Sequence, residues 1–467
     1  MICLSREVQE PLYMQIYQQI KKEITDCTHK ENDILMGSRK LAEVLHVSRN
    51  TVDSAYAQLV AEGYICSRRG VGYIVSKLPE LKLPQEKEFP PMPVFKTKRN
   101  DTPPVLYDLT NSSYTSDLFP KNLWKRYTLE CLEQLESEKK LATFQDKQGE
   151  PYLRKSLLPF LKRIRGVRCN EDQIIITCGI QQSLDYICKM LAARGSTVLV
   201  EEPGFDKAVS VFCNNGLYTS TVPVDKEGIL TAELPEEGDI LALYSTPSHQ
   251  FPTGVTMPIG RRYGLLKWAE KNDSYIIEDD FDSEQRYYAK PIPSLQSIDV
   301  NNRVIYLGTF SKALSPSVRM GYMILPPQLL KLYTNQFKNY NSTVPLLNQY
   351  TIGRLIETGQ YERHIRRLNN IFRKRLELFQ EELVKINKEI KIHSNGTGQY
   401  FLLEFPAQAK QQQLIERALE QGVRVYPTMQ FWQEKAACPP NMLFLGFSKI
   451  DIKDIPDCVE RLKKAWL

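Results

Sequence analysis

Apolar positions near the amino terminus recur at helical spacing. Leu12, Tyr13, Ile16, Tyr17, Ile20 and Ile24 predict a helix with Pro11 in its first turn. Ser38 is a candidate N-cap for a short helix whose apolar face is Leu41, Ala42 and Leu45. After the turn His46-Val47, Ser48 caps a third helix facing inward through Val52, Ala55, Tyr56, Leu59 and Val60, and Gly63 ends it. Tyr64–Cys66 and Gly72–Val75 predict two short strands around Ser67–Val71.

Between Leu78 and Val105 this periodicity stops. Prolines at 79, 84, 90, 91, 93, 103 and 104 alternate with charged residues, which disfavours helix and sheet and predicts an extended, semi-stiff linker. Beyond it, the apolar runs Ile174–Ile176, Val198–Val200, Ile240–Leu243, Tyr275–Ile277 and Val304–Leu307 alternate with helical stretches. They read as buried parallel strands with crossover helices. From about residue 350 the chain is strongly helical and closes with strand candidates Tyr400–Leu403 and Leu443–Leu445, which predicts a small α+β subdomain. The expected organisation is a small helical domain over 1–78, a linker over 79–105 and an α/β domain over 106–467.

Composition narrows the class. At 467 residues the chain exceeds one ordinary core. Its 42% apolar and 25% charged residues are ordinary for a globular protein. No apolar run approaches the roughly 18 residues that span a bilayer, and the first residues lack a secretory pattern, so a cytoplasmic protein is expected. Ten cysteines without a C-x-x-C pair fit reduced thiols and give no metal spacing. A net charge of +6 permits a polyanionic partner without demanding one.

Two short helices, a tight turn and a hairpin describe a winged helix-turn-helix. Ser48-Arg49-Asn50-Thr51 opens the third helix, the end that enters a major groove. Arg49 can bond guanine or phosphate, Asn50 can pair with adenine, and Ser48 and Thr51 can reach phosphates. Arg39 suits the backbone, and Arg69 and Gly70 sit at the hairpin tip. A three-helix protein-interaction domain is the bland alternative, because residues 1–78 hold ten Lys/Arg against nine Asp/Glu.

The chemistry centres on Lys312. The strand Arg303–Leu307 runs into a hydroxyl-rich turn carrying Thr309, Ser311, Lys312 and then Arg319. Thr309 and Ser311 can donate to a phosphate, and Arg319 adds a forked cation. A lysine beside such a seat suits a Schiff base with pyridoxal 5'-phosphate. Gly179, Ile180 and Gln181 follow a strand and open a helix, where free N–H groups favour phosphate. Phe205 offers a ring to stack on a flat cofactor. A carboxylate in the strand end Glu278-Asp279-Asp280 can pair with a protonated pyridine nitrogen. Arg363, Arg366, Arg367, Arg373, Lys374 and Arg375, with His364, read as the exposed face of a long helix.

These motifs carry two resemblances. The run SRKLAEVLHVSRNTVDSAYAQLVAEGYICSRRGVGYIV resembles the GntR superfamily's DNA-binding domain, with Gly37 where that family usually has proline. The later segments resemble a fold-type I, aspartate aminotransferase-like domain. Joined, they resemble the MocR/GabR family of bacterial transcription regulators over about residues 8–460. The resemblance implies a winged helix-turn-helix followed by an α/β fold-type I PLP-dependent transferase domain, with a mostly parallel sheet and a small α+β subdomain. It assigns Lys312 the Schiff base, Asp279 the pyridine nitrogen, Phe205 the stacking ring, and Thr309, Ser311, Arg319 and Gly179–Gln181 the phosphate. It gives Arg39, Ser48, Arg49, Asn50, Thr51, Arg69 and Gly70 as DNA contacts. An effector carboxylate is expected near Lys207.

Three positions depart from the family pattern. Phe281 stands where a tyrosine often bonds the cofactor, Phe444 where related aminotransferases keep a carboxylate-binding arginine, and Lys207 where an arginine can occur. The expected function is therefore a cytoplasmic, PLP-dependent regulator of double-stranded DNA operators. It would sense an amine or amino acid by external aldimine formation at Lys312. The resemblance also implies a homodimer, with a head-to-tail arrangement as one option. A working aminotransferase with an appended DNA-binding domain is the alternative.

Overall fold

The computed structural model describes residues 2–5, 10–78, 104–110, 116–282, 284–288 and 292–467. It divides into two compact units, residues 1–99 and 100–467. Apart from Pro104 and Val105, the expected linker lies outside the described residues.

The first unit contains α1 (Leu12–Thr25), α2 (Ser38–Leu45), α3 (Arg49–Ala61), β1 (Ile65–Arg68) and β2 (Gly72–Val75). Ile16, Ile20 and Ile24 of α1 pack against Val52, Ala55, Tyr56 and Leu59 of α3, with Leu41 and Ala42 of α2 closing the core. Fully burying each large apolar side chain contributes about 1.5–3 kcal/mol. Three expectations shift. Gly37, rather than Ser38, holds the N-cap position of α2, and Ser38 is its first helical residue. Pro11 is the N-cap residue of α1, just outside the first turn. Val60 lies on the exposed side of α3, because Leu59 already fills the inward position of that last turn. The strands pair antiparallel from Ile65 opposite Val75 to Arg68 opposite Gly72, so Arg69, Gly70 and Val71 form the tip.

The second unit opens with β3 (Tyr107–Asp108), α4 (Lys121–Ser137) and α5 (Pro151–Arg165). There follow β4 (Ile174–Thr177), α6 (Ile180–Leu191), β5 (Thr197–Glu202), α7 (Asp206–Asn214), β6 (Tyr218–Asp225) and β7 (Gly228–Ile229). Then come β8 (Ile240–Ser245), α8 (Ile259–Lys271), β9 (Tyr275–Asp279), β10 (Val304–Thr309) and β11 (Gly321–Ile324). These strands form one sheet in the order β4-β11-β10-β9-β8-β5-β6-β7. Its centre, from β10 to β6, is parallel. The expectation that Ile174–Ile176 is a parallel strand fails in its pairing, because β4 bonds only to β11, antiparallel. β11 returns antiparallel to β10 after the loop 310–320, which carries Lys312, and occupies the place where a parallel neighbour would sit.

Side chains of the central strands alternate between two cores. Ile175, Val198, Val200, Ile277, Ile305 and Leu307 face α6, α7 and the next helix, α9 (Pro327–Gln336). Ile276, Val304, Leu199 and Leu243 face α8 on the other side. Burial on both faces explains why these strands read as continuous apolar runs.

The remaining elements are α10 (Leu346–Glu357), α11 (Gln360–Val384), β12 (Lys391–His393), β13 (Tyr400–Glu404), α12 (Gln411–Glu420), β14 (Val423–Arg424), β15 (Tyr426–Pro427), β16 (Met442–Gly446) and α13 (Ile455–Trp466). They build a second sheet, β12-β13-β16-β15, with its own core against α11 and α13. On α11, Arg363, Arg366, Arg367 and Lys374 are exposed as expected, but His364 and Arg375 are buried. Arg375 turns inward because the Ser448 carbonyl and Asp451 receive its guanidinium. No described helix is long and apolar enough to cross a membrane.

Candidate functional site

The carboxyl ends of the central strands open into a cavity of about 510 Å³. Gly179, Ile180, Gln181, Phe205, Lys207, Asp279, Thr309, Ser311, Lys312 and Arg319 all line it, so every cofactor and effector candidate of the sequence converges on one place. Phe281 and Phe444, the departures from the family pattern, line it too.

The three acids at the end of β9 and just beyond it divide by strand alternation. Glu278 accepts the backbone N–H groups of Leu295 and Gln296 at 2.7 and 2.8 Å. Asp280 takes the fork of buried Arg165, at 2.7 and 3.0 Å, and the Tyr306 hydroxyl. Asp279 lies between them on the opposite side. Tyr244 donates its hydroxyl to Asp279 Oδ2, and Oδ1 is buried with no partner among the described residues. Burial is the main cause that lifts the Asp279 carboxyl to about 7; the Tyr244 hydrogen bond opposes this, and Asp280, Asp282 and Glu201 add to it.

The phosphate candidates form a compact seat. Gly179 precedes α6 with φ 126° and ψ 177°, a conformation side chains rarely adopt, and so frees the first N–H groups of the helix. A Cβ at Gly179 would meet Arg319 Nη2 at 3.7 Å, which places the guanidinium against this turn. Arg319 itself holds left-handed backbone, φ 50° and ψ 52°, at a cost of about 1–2 kcal/mol. Thr309 Oγ1 and Ser311 Oγ lie 3.1 Å apart. A Cβ at Gly321 would fall 2.8 Å from the Gly308 carbonyl and 3.1 Å from Gly179 Cα, so glycine lets β11 press the turn against β10.

Lys312 is held by its backbone. Gln285 and Gln399 both donate to its carbonyl, at 2.9 and 3.2 Å, and His364 bonds the next carbonyl, that of Ala313, at 2.8 Å. Burial lowers the Lys312 amine to about 8; Asp282 opposes that shift and Lys207 reinforces it. Asp282 is itself engaged by His249 Nδ1 at 2.8 Å. The Glu201 carboxylate, fully enclosed, accepts from Ser245, Thr246 and Gln250.

The residues present fit pyridoxal phosphate: a half-buried lysine, a carboxylate oxygen without a partner among the described residues for a pyridinium, and an anion seat of hydroxyls, helix N–H groups and arginine. Reading the sequence alone missed Tyr244, which looks like one more strand aromatic, and the Glu201 and His249–Asp282 networks. The short polar segment Thr246–Gly254 was the only signal for the latter.

In the first unit, Arg39, Ser48, Arg49, Asn50, Arg69 and Gly70 are exposed and Thr51 is half-buried. Ser48 caps α3, its Oγ accepting from the Thr51 N–H at 3.2 Å and lying 2.8 Å from Thr51 Oγ1. Arg49 pairs with Asp53 at 3.3 Å.

Comparisons with known proteins agree with both halves. Bacterial regulatory proteins of the gntR family match residues 12–75, and aminotransferase class I and II matches residues 109–436. The HTH-type transcriptional regulator YhdI of Bacillus subtilis is 35% identical, covering 99% of this chain and 97% of its own. The probable rhizopine catabolism regulatory protein MocR of Rhizobium meliloti is 30% identical over 100% and 96%. Among solved structures, the α-aminoadipate aminotransferase LysN of Thermus thermophilus, complexed with N-(5'-phosphopyridoxyl)-L-leucine, superposes with a TM-score of 0.67 at 28% identity. That match covers 77% of this chain and 92% of LysN. A helix-turn-helix unit joined to an aminotransferase fold defines a DNA-binding transcription regulator. The chain belongs to the MocR family of HTH-type regulators, a gntR-type domain followed by a class I/II aminotransferase domain.

Proposed function

We propose that this regulator binds pyridoxal phosphate at Lys312 and uses it to sense a primary amine or amino acid. The observation that carries the reading is the buried Oδ1 of Asp279, without a partner among the described residues, in the same cavity as Lys312 and the phosphate seat. Bound there, the cofactor supplies an aldehyde that one amine can occupy at a time. Lys312 would be its resident partner, with much of its amine neutral near pH 8. Asp279 would balance a ring cation, Phe205 would stack, and Thr309, Ser311, Arg319 and Gly179–Gln181 would hold phosphate. Lys207, which also lines the cavity, would be the cation left for an incoming ligand.

A ligand amine held there would leave Lys312 unattached, and the difference between the two states is what would alter operator binding. Arg39, Ser48, Arg49, Asn50, Thr51, Arg69 and Gly70 would contact operator DNA. We further propose a cytoplasmic homodimer that presents two such domains to paired half-sites. Phe281 and Phe444, both in the cavity, favour sensing over rapid transamination because neither can hydrogen-bond a cofactor or a carboxylate.

Borohydride treatment of the cofactor-loaded full chain, followed by peptide mass mapping, tests the reading. Modification at position 312 is the expected result; an unmodified Lys312 overturns it.

A further inference from the structure

We infer that the cavity selects a primary amine that carries an aromatic ring and no carboxylate. This rests on the amine-sensing reading above and specifies its ligand. One wall of the cavity is built of aromatic rings centred on Phe251. The Phe251 ring lies 4.8 Å from Phe431, 5.5 Å from Phe205, 5.9 Å from Phe444 and 6.0 Å from Phe281. These separations fall in the range where edge-to-face and offset ring contacts are favourable. All five rings line the cavity, so the cluster is a ligand-facing wall as well as subdomain core. Phe205 and Phe281 are only partly buried; with Phe205 assigned to the cofactor face, Phe281 leaves ring surface for a ligand to cover.

Among the described lining residues the charge inventory offers a carboxylate no matched partner. Lys312, Asp279 and Arg319 are committed to the cofactor. Among the described lining residues this leaves Lys207 and the adjacent Asp206, whose charges offset each other. Lys207 is exposed, so its ammonium stays hydrated and offers a point charge rather than a fork. A carboxylate pressed against phenylalanine rings would lose its water without gaining a matched partner, which is strongly unfavourable. An aromatic body gains area burial and ring contacts on the same surface.

The test titrates the cofactor-loaded full chain with 2-phenylethylamine, L-phenylalanine and n-butylamine, following heat of binding and the visible absorption band. 2-Phenylethylamine should bind at least tenfold more tightly than either of the others. If L-phenylalanine binds as well or better, or n-butylamine matches the aromatic amine, the inference falls while amine sensing stands. If none of the three perturbs a protein whose Lys312 is still fixed by borohydride, the sensing reading fails and takes this inference with it. Phe444→Arg should raise L-phenylalanine affinity at least tenfold and weaken 2-phenylethylamine; an unchanged ratio overturns the assignment. Phe444→Leu, which keeps the position apolar, should weaken 2-phenylethylamine a few-fold and still discriminate against L-phenylalanine. Loss of that discrimination would equally overturn it.

Discussion

Tyr244 gives its hydroxyl hydrogen to one oxygen of Asp279 and leaves the other, Oδ1, buried without a partner among the described residues. A strand aromatic thereby orients the acid that the cavity chemistry needs.

The first prediction concerns that acid in the cofactor-free protein. Burial raises the Asp279 carboxyl to about 7, so the folded state holds its proton more tightly than the unfolded chain does. Its contribution to stability therefore falls as pH rises from the ordinary carboxylate range to about 7, then levels. Cofactor-free Asp279→Asn should be more stable than the parent, by little near about pH 4 and by on the order of 2–4 kcal/mol above about pH 7. Paired melts across that range check it. Once cofactor is present the order should reverse, because asparagine cannot neutralise a pyridinium.

Lys312 gives a second pH signature. With the amine lowered to about 8, its reactive neutral fraction grows about tenfold per pH unit below that value and saturates above it. The rate of cofactor attachment should follow this curve in stopped-flow absorbance. Lys312→Ala should abolish borohydride-stable attachment and any effector response while leaving basal DNA affinity within about twofold, an order-of-magnitude bound given the separate unit that binds DNA.

At the DNA end, Arg49→Ala should cost roughly 1–3 kcal/mol of affinity for the cognate operator if Arg49 reads a base. Folding stability should move by less than about 0.5 kcal/mol, because the Arg49–Asp53 pair is an exposed one. Fluorescence anisotropy alongside thermal melts separates the two effects, and an unchanged operator affinity removes Arg49 from the contact set.

Gly321 links sheet and site. A Cβ there would lie 2.8 Å from the Gly308 carbonyl and 3.1 Å from Gly179 Cα, all backbone that cannot rotate away. Gly321→Ala should destabilise the fold by about 1–3 kcal/mol as an overpacked position. It should also weaken pyridoxal phosphate binding at least tenfold by opening the anion seat, measured by equilibrium titration of the cofactor-free chain.

How far the sequence spoke for itself depended on whether a residue's role was local. Tyr275-Ile276-Ile277 was readable as a strand because both faces are buried, and the motif around Lys312 because its donors lie close together in the chain. β11 was not, since four residues beginning with glycine carry too little pattern and one of its two partners, β4, is distant in the chain. Ser38 looked like a cap because hydroxyls usually are; the preceding Gly37 took the extended backbone instead. Arg375 read as surface from its charged neighbours, but its partners, Ser448 and Asp451, lie more than seventy residues away. Tyr244 was invisible for the same reason: its importance lies in Asp279, on another strand.

The pair of strands that brings Phe444 to the cavity also steadies Lys312. Phe444 lies opposite Leu402, and three residues before Leu402 comes Gln399, whose amide grips the Lys312 carbonyl. A shift of that phenylalanine is therefore coupled through β13 to the lysine's own mooring, giving the small subdomain a lever on the position of Lys312.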